Sequence, residues 1–286
     1  MKLGLVVLNY NDSETTISFL NHIKKYGIIE RIVVVDNCST DDSFDKLKEL
    51  ENDKIDVIRT DENRGYAAGN NYGAGFLTKE CNPEYIIISN PDVFFEESVV
   101  ETMLGYLEKL PGAAAVACKM NCLSGINLPI AWKLPKFRDC LIQDSYIFKK
   151  VFGDPLEYKE DRLKSEISLV DVLPGSMFMI KTEAFDKVGG FDEHTFLYYE
   201  ENILAFKLQK EGYKNYLINN CTYDHMHSVS IDKNIASVKK RFEVAYYSRE
   251  WYCKEYLGAS SIQLKLLHIF YKIGVFNYLI YKKIKG

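Results

Sequence analysis

The 286-residue sequence predicts an α/β protein: a mixed, mainly parallel sheet with helices on both faces, followed by a helical C-terminal tail. Three observations carry that expectation. Short apolar runs alternate with helix-period segments through the first 119 residues, the pattern of strands covered on both faces. The hydrophobic (47%) and charged (27%) fractions are those of an ordinary globular chain, not of a disordered one. Polar clusters recur just after the apolar runs, as expected where right-handed crossovers gather the strand C-termini on one ligand-binding edge.

Taken in order, residues 3–8 read as a buried strand and 13–26 as a helix. RIVVVD at 31–36 is the second strand, and Ser39-Thr40-Asp41-Asp42 then matches a capping box for a helix to about residue 50. A third strand (55–60), a helix (67–78), a fourth strand (YIIIS, 85–89), a helix (97–109) and a run at 113–119 follow. Residues 120–168 have weak periodicity and read as irregular connection plus helix. Regularity returns at 170–181, then a short helix at 182–188 stops at Gly189-Gly190. A helix at 200–211 has Gly212 as its stop, and the tail from about 231 is mostly helical.

Bulk properties exclude several classes. A formal charge of −4 with no basic stripe before the extreme C-terminus gives no footprint for nucleic acid. Seven scattered cysteines, an odd number without a CxxC pair, point to reduced thiols and away from a structural zinc site. The chain opens directly on a strand-like run, so no signal peptide is expected. No window approaches ~20 uninterrupted apolar residues, so no spanning helix is expected either. A cytoplasmic chain, soluble or peripheral to the membrane, is the expectation.

Four polar punctuations follow four of the strands: Asn9-Tyr10-Asn11-Asp12, Asp36-Asn37, Asn63-Arg64-Gly65 and Asn90-Pro91-Asp92. Each alone is ordinary turn chemistry. Four in register on one edge outline a polar pocket.

VVLNYN, VVDNCSTDDS, NRGYAAGNNYG and SNPDV, followed by PGSMFMIKTEAFDKVGGFDEHTFLYYEENILAFKLQKEGYK and DHMHSVS, resemble the family 2 glycosyltransferases of the Rossmann-like GT-A fold. The likeness covers roughly residues 3–230 and is nearest to the rhamnosyltransferase-like branch that builds capsules and O-antigens. It implies a glycosyltransferase domain over 1–230, with a donor half to about 119 and an acceptor half over 120–230, and a helical extension over 231–286.

The resemblance implies roles residue by residue. Asp36 would accept from the N3–H of uracil or thymine, although it could instead cap the helix that follows. The backbone from Val7 through Asn9 to Asn11 would flank base and ribose. Gly65 permits a tight turn and Arg64 can reach a phosphate. Asn70 and Asn71 resemble donor-facing asparagines, or are exposed helix polar residues. Asn90-Pro91-Asp92 stands at the DXD position, making Asp92 the expected ligand of Mn²⁺ or Mg²⁺, which neutralises the leaving diphosphate. His225 fits as the second ligand by its spacing to Ser230, with His227 as the alternative. Glu201 takes the place of the family's aspartate as general base, with Glu200 before it; a helix N-terminus that favours acids explains Glu200 equally well. Ile203 replaces an acid common in the family. Gly175 and Ser176 resemble an acceptor-side turn, where close backbone approach favours glycine, and Trp132 is a further acceptor-side candidate.

The expected chemistry is inverting transfer from a dTDP- or UDP-linked sugar, dTDP-rhamnose among them, to a saccharide or undecaprenyl-linked glycan. A sugar-1-phosphate nucleotidyltransferase and a non-catalytic sugar-nucleotide or glycan binder stand as alternatives; the first normally opens with a glycine-rich loop that LNYND lacks. The apolar, aromatic and basic stretch 262–285 could lie in the membrane interface, on the inner face of the plasma membrane. Packing on the domain, or on the partner of a homodimer, explains the same pattern.

Overall fold

The computed structural model describes residues 2–123, 128–143, 153–226 and 237–285. In chain order its strands are β1 (Leu3–Asn9), β2 (Arg31–Asp36), β3 (Ile55–Arg59), β4 (Tyr85–Ser89), β5 (Val93–Phe94), β6 (Ala113–Cys122), β7 (Ile167–Val170), β8 (Met177–Lys181) and β9 (Lys214–His225). The helices are α1 (Ser13–Ile23), α2 (Ser43–Lys48), α3 (Tyr66–Cys81), α4 (Glu97–Lys109), α5 (Phe137–Ile142), α6 (Thr182–Lys187), α7 (Glu200–Lys210), α8 (Val238–Trp251) and α9 (Ser261–Lys285).

The first four long strands are parallel in the order β3-β2-β1-β4. Beyond β4 the sheet is mixed. Strand β8 runs antiparallel to both β4 and β6, and β9 lies parallel to β6. Strands β5 and β7 pair antiparallel with β9. This is the mixed, mainly parallel sheet the alternation predicts.

Both faces of the sheet are covered. Leu3, Leu5 and Val7 of β1 join the apolar layer of α1, α2 and α4. Val6, between them, joins the opposite layer with Ala67 and Leu77 of α3, Phe185 of α6 and Leu204 of α7. Alternate strand residues thus meet apolar partners on opposite sides, which is why the strands read as unbroken apolar runs. Helix α3 lies very close to the sheet. A β-carbon on Gly69 would stand 2.4 Å from Leu8, and one on Gly73 2.5 Å from Val6 and 2.7 Å from Val35.

Three local expectations change. Ser39 does not cap a helix: α2 starts at Ser43 behind Asp42, which makes no side-chain cap bond. The Ser39 hydroxyl accepts instead from the Asn11 amide (2.9 Å) and from Asn9 Nδ2 (3.3 Å). Helix α1 stops at Ile23 rather than residue 26. Of the regular stretch at 170–181, only Val170, which ends β7, and Met177–Lys181, which form β8, are strand, with a turn at Gly175-Ser176 between them.

The C-terminal helices α8 and α9, joined by a π-helical turn at Tyr252–Tyr256, pack on the domain through a third apolar cluster. It unites Tyr246, Tyr252 and Leu267 with Cys140 of α5 and with Tyr199 and Ile203 at the start of α7. Ile203, where the family commonly has an acid, is completely buried there. Its apolar side chain fits that surrounding.

Candidate active site

The C-terminal edge of the parallel strands opens into a cleft of about 460 Å³, within the range of small-molecule sites. All four polar punctuations contribute: Tyr10 after β1, Asn37 after β2, Asn63 and Gly65 after β3, and Asn90 and Asp92 after β4. Gly175, Ser176, Glu200, Glu201, Trp132 and His225 line the same cleft.

Strand pairing makes one corner. Val93 of β5 pairs with His225 of β9, and the Met226 amide donates to the Asp92 carbonyl (2.9 Å). This sets His225 Nε2 3.2 Å from Asp92 Oδ1, with both residues buried. A carboxylate oxygen and an imidazole nitrogen converging at a cleft wall suit a divalent cation whose other ligands come from phosphate and water. Among the described residues no cluster of three or more His, Cys, Asp or Glu forms a protein-only metal cage. The described residues lining the cleft include no lysine or arginine either. His227 lies outside the described residues.

Helix α7 makes a second corner. It begins at Glu200-Glu201, so both carboxylates sit at a helix N-terminus. The turn before it is strained: Tyr198 and Tyr199 both adopt left-handed conformations, with φ of 70° and 71°, each at a cost of about 1–3 kcal/mol. The C-terminal extension holds that turn. Ser248 Oγ of α8 donates to the Leu197 carbonyl at 2.9 Å, and the Tyr199 ring packs 5.4 Å from that of Tyr252.

Burial, then the neighbouring Glu201 carboxylate, pushes the Glu200 carboxyl well above the usual range. Its Oε2 is buried with no hydrogen-bond partner among the described residues. Burial also raises Glu201, while its own amide and that of Gly175 pull it back. The two neighbouring carboxyls therefore both hold protons more tightly than an exposed glutamate, and the amide bonds to Glu201 favour its ionised form. Tyr66 extends this corner, its hydroxyl donating to the Gly175 carbonyl (2.7 Å). Burial and the two glutamates keep its phenol neutral.

Antiparallel pairing of β4 with β8 sets Ser89 opposite Met177, and the Asn90 amide donates to the Ser176 carbonyl (2.8 Å). The metal-type corner and the Gly175 turn are thereby tied together. The Ser176 hydroxyl is engaged with that of Tyr223 (2.7 Å). Trp132 donates from Nε1 to Asn202 Oδ1 (2.8 Å) and pairs its backbone with Val172. Gly65, with φ 94°, cannot carry a side chain: a β-carbon would lie 2.0 Å from the Phe196 carbonyl oxygen.

Other expected donor residues stand outside the cleft lining. Val7 faces the core, while Leu8 and Tyr10 line the cleft by the alternation of the strand. Asp36 is fully buried. Its oxygens accept from Asn9 Nδ2 (3.0 Å) and the Ser39 amide (3.1 Å), and Arg59 Nε stands 3.4 Å away. Asn11 bonds to the Thr40 amide and hydroxyl. Arg64 is half-exposed and paired with Glu193 at 3.1 Å. Asn70 is wholly buried, not an exposed helix residue, and donates to the Tyr66 carbonyl. Asn71 clamps the Gly189-Gly190 turn, bonding the Phe191 amide (2.9 Å) and carbonyl (3.0 Å).

Sequence reasoning passed over Tyr66, Phe196, Leu197 and Tyr198 on the cleft wall. All four lie inside motifs quoted above, NRGY and HTFLYY, where their aromatic and apolar character reads as core.

Comparison with known proteins agrees with this geometry. The family model described as "Glycosyl transferase family 2" matches residues 5–189. The low-salt glycan biosynthesis hexosyltransferase Agl10 of Haloferax volcanii is 26% identical over 262 residues, covering 91% of this chain and 76% of its own. The N-acetylglucosaminyl-diphospho-decaprenol L-rhamnosyltransferase of Mycobacterium tuberculosis is 25% identical over 220 residues, 72% of this chain and 69% of that one. Among solved structures, Staphylococcus aureus TarS 1-349 in complex with UDP-GlcNAc superposes with a TM-score of 0.59 at 15% identity, covering 88% of this chain and 67% of that chain. Mannosyltransferase PcManGT of Pyrobaculum calidifontis, in complex with GDP-Man and Mn2+, gives 0.59 at 16% identity over 93% and 68%. With strand order, cleft and family match in agreement, the chain belongs to glycosyl transferase family 2 and is a glycosyltransferase of the GT-A fold.

Proposed function

We propose that the cleft transfers a sugar from a nucleoside-diphosphate donor, dTDP-rhamnose or a UDP-sugar, to a hydroxyl of a saccharide or lipid-linked glycan, inverting the anomeric centre. The observation that carries this reading is that one cleft is lined by both pairs, Asp92–His225 and Glu201–Gly175. Asp92 and His225 would hold Mn²⁺ or Mg²⁺, whose positive charge stabilises the departing diphosphate. Glu201 takes the proton of the acceptor hydroxyl as it attacks; burial has raised its affinity for that proton. Neutral Tyr66 fixes the Gly175 carbonyl, and Trp132 offers an apolar face to the acceptor. Asp36 has about one lone pair left over for a base N3–H after its three present partners. Arg64 would reach phosphate by exchanging its Glu193 partner for it.

The names of the relatives support the substrate classes: one transfers L-rhamnose to a decaprenyl-diphosphate-linked sugar, and the neighbours hold UDP-GlcNAc, or GDP-Man with Mn2+. With a lipid-linked acceptor the protein would work at the cytoplasmic face of a membrane, in polysaccharide assembly of the capsule or O-antigen kind. The test is incubation with dTDP- and UDP-sugars, Mn²⁺ and a synthetic polyprenyl-diphosphate saccharide. Acceptor-dependent release of nucleoside diphosphate, with a product anomer opposite to the donor's, is expected. Pyrophosphate-dependent formation of nucleoside triphosphate would instead show a nucleotidyltransferase, and retention of configuration would remove Glu201 as the base of a single displacement.

A further inference from the structure

We infer that helix α9 seats the protein on an anionic lipid surface through the side that points away from the domain. One side of this helix is spent on packing. Leu267 is buried, the Tyr271 ring stacks on Tyr246 at 4.3 Å, and Tyr278 packs on Phe242 of α8 at 5.1 Å. A helix lying on a globular surface should be polar on its opposite side. Here that side is apolar. Ile262, Leu266, Ile269, Ile273, Phe276 and Ile280 are all exposed, Ile262 at 80% and Phe276 at 63%. Their alternating four- and three-residue spacing gathers them into a stripe about 80° wide, roughly opposite Leu267, Tyr271 and Tyr278. Continuous exposed apolar surface of this kind marks a surface that something else covers.

Charge decides what covers it. The sequence of α9 holds five lysines and neither aspartate nor glutamate, although the whole chain carries −4. Exposed Lys265 and Lys272 follow one border of the stripe, about 20–40° beyond Phe276 on the helical wheel. Against a second copy these lysines would meet lysines, with no acid in either helix to form the flanking ion pairs that select a coiled-coil partner. Anionic headgroups offer the missing charge, and the acyl boundary takes up the stripe. The helix lies on the surface rather than through it: none of the described helices is long and apolar enough to cross a membrane.

The test is flotation of the full chain with vesicles of phosphatidylcholine containing about 30% phosphatidylglycerol, against phosphatidylcholine alone. Binding to the anionic vesicles should be at least about tenfold tighter and should weaken on raising salt to about 0.5 M. The triple variant Ile269→Glu/Ile273→Glu/Phe276→Glu should lose at least about tenfold in binding with an unchanged circular dichroism spectrum, because these side chains touch solvent. Lys265→Glu/Lys272→Glu should erase the preference for anionic vesicles. The assay reads binding without sugar transfer, so its outcome is separate from that of the catalytic reading. Wild-type protein that stays with the soluble fraction, or a triple variant that still floats, overturns the inference. So does a dimer in analytical ultracentrifugation that the triple variant dissolves, since the stripe would then be covered by a second copy.

Discussion

The Glu201 carboxylate rests directly on Gly175: a β-carbon at that glycine would stand 2.5 Å from Oε1 and 3.1 Å from Cδ and Cγ. The atoms in the way are the far end of a flexible side chain, so an added methyl would push the carboxylate aside rather than break the fold. Gly175→Ala is accordingly expected to lower kcat by about 10–100-fold, the scale for displacing a reacting group by about 1 Å. The melting temperature should move by less than about 2 °C. Steady-state kinetics beside a thermal melt checks this; normal turnover in the alanine variant would detach Glu201 from catalysis.

The Glu200–Glu201 pair makes a second expectation, about which carboxylate works. Burial and its neighbour's charge both raise Glu200, so a protonated Glu200 beside a working Glu201 is the expectation to test. Glu200→Gln imitates that state and should change kcat by less than about tenfold, whereas Glu201→Gln should cost at least about 100-fold, as for loss of a general base. Since burial raises Glu201, the acid limb of kcat/KM should fall above the ordinary glutamate value of about 4.3, with activity lost as pH drops through it. The two limbs belong to the pair and are read from one pH–rate profile.

A third expectation concerns Asp92 and His225, whose 3.2 Å approach depends on the pairing of β5 with β9. EDTA should abolish transfer and Mn²⁺ should restore it. Asp92→Asn and His225→Gln should each raise the Mn²⁺ concentration for half-maximal activity by at least about tenfold, because each would remove one of the two proposed protein ligands. Full activity after exhaustive chelation would mean that this corner binds no metal during turnover.

How much of this was legible depends on what each residue answers to. Strands β1, β2 and β4 sit where their apolar runs place them, since burial on both faces leaves an unbroken signature. The same holds for α4, with apolar residues at helical spacing and Leu110 already extended. Ser39 misled because its hydroxyl serves Asn9 and Asn11, 30 and 28 positions away, a partnership that local cap chemistry cannot reveal. Asn90, Asp92, Gly175 and Glu201 come to one cleft because motif spacing records the loops that carry them. Arg64 and Asn71 do not line it, since their partners Glu193 and Phe191 arrive from a turn more than a hundred residues later. Nor could pattern show that Tyr198 and Tyr199 would adopt left-handed backbone, a conformation that residue type argues against. That strain is sustained by the C-terminal helices, which no motif covers.

The fourth expectation follows from how those helices are held. Both oxygens of Asp192, which is nearly buried, are occupied: Oδ1 accepts from the His194 amide (2.9 Å) and Nδ1 (2.8 Å), and Oδ2 from Trp251 Nε1 (2.7 Å) and Tyr256 OH (2.6 Å). Burial alone would raise this carboxyl, but the hydrogen bonds from Tyr256, Trp251 and His194 outweigh it and hold the group down at about 2. The folded value lies below the unfolded one, so the stabilisation is fully present above about pH 4 and fades as pH falls towards 2. A depression of that size corresponds to about 2 kcal/mol. Asp192→Ala leaves Trp251 and Tyr256 without an acceptor and should lower the melting temperature at pH 7 by about 4 °C, by the size scaling of the unfolding entropy. The difference from wild type should shrink on acidification below pH 4. Because α8 also holds the Leu197 carbonyl before α7, the variant should lose turnover along with the tail contact. Proteolysis ahead of α8, followed with residual transfer activity, reads both effects; a variant with wild-type melting at pH 7 would show that Asp192 does not fasten the tail.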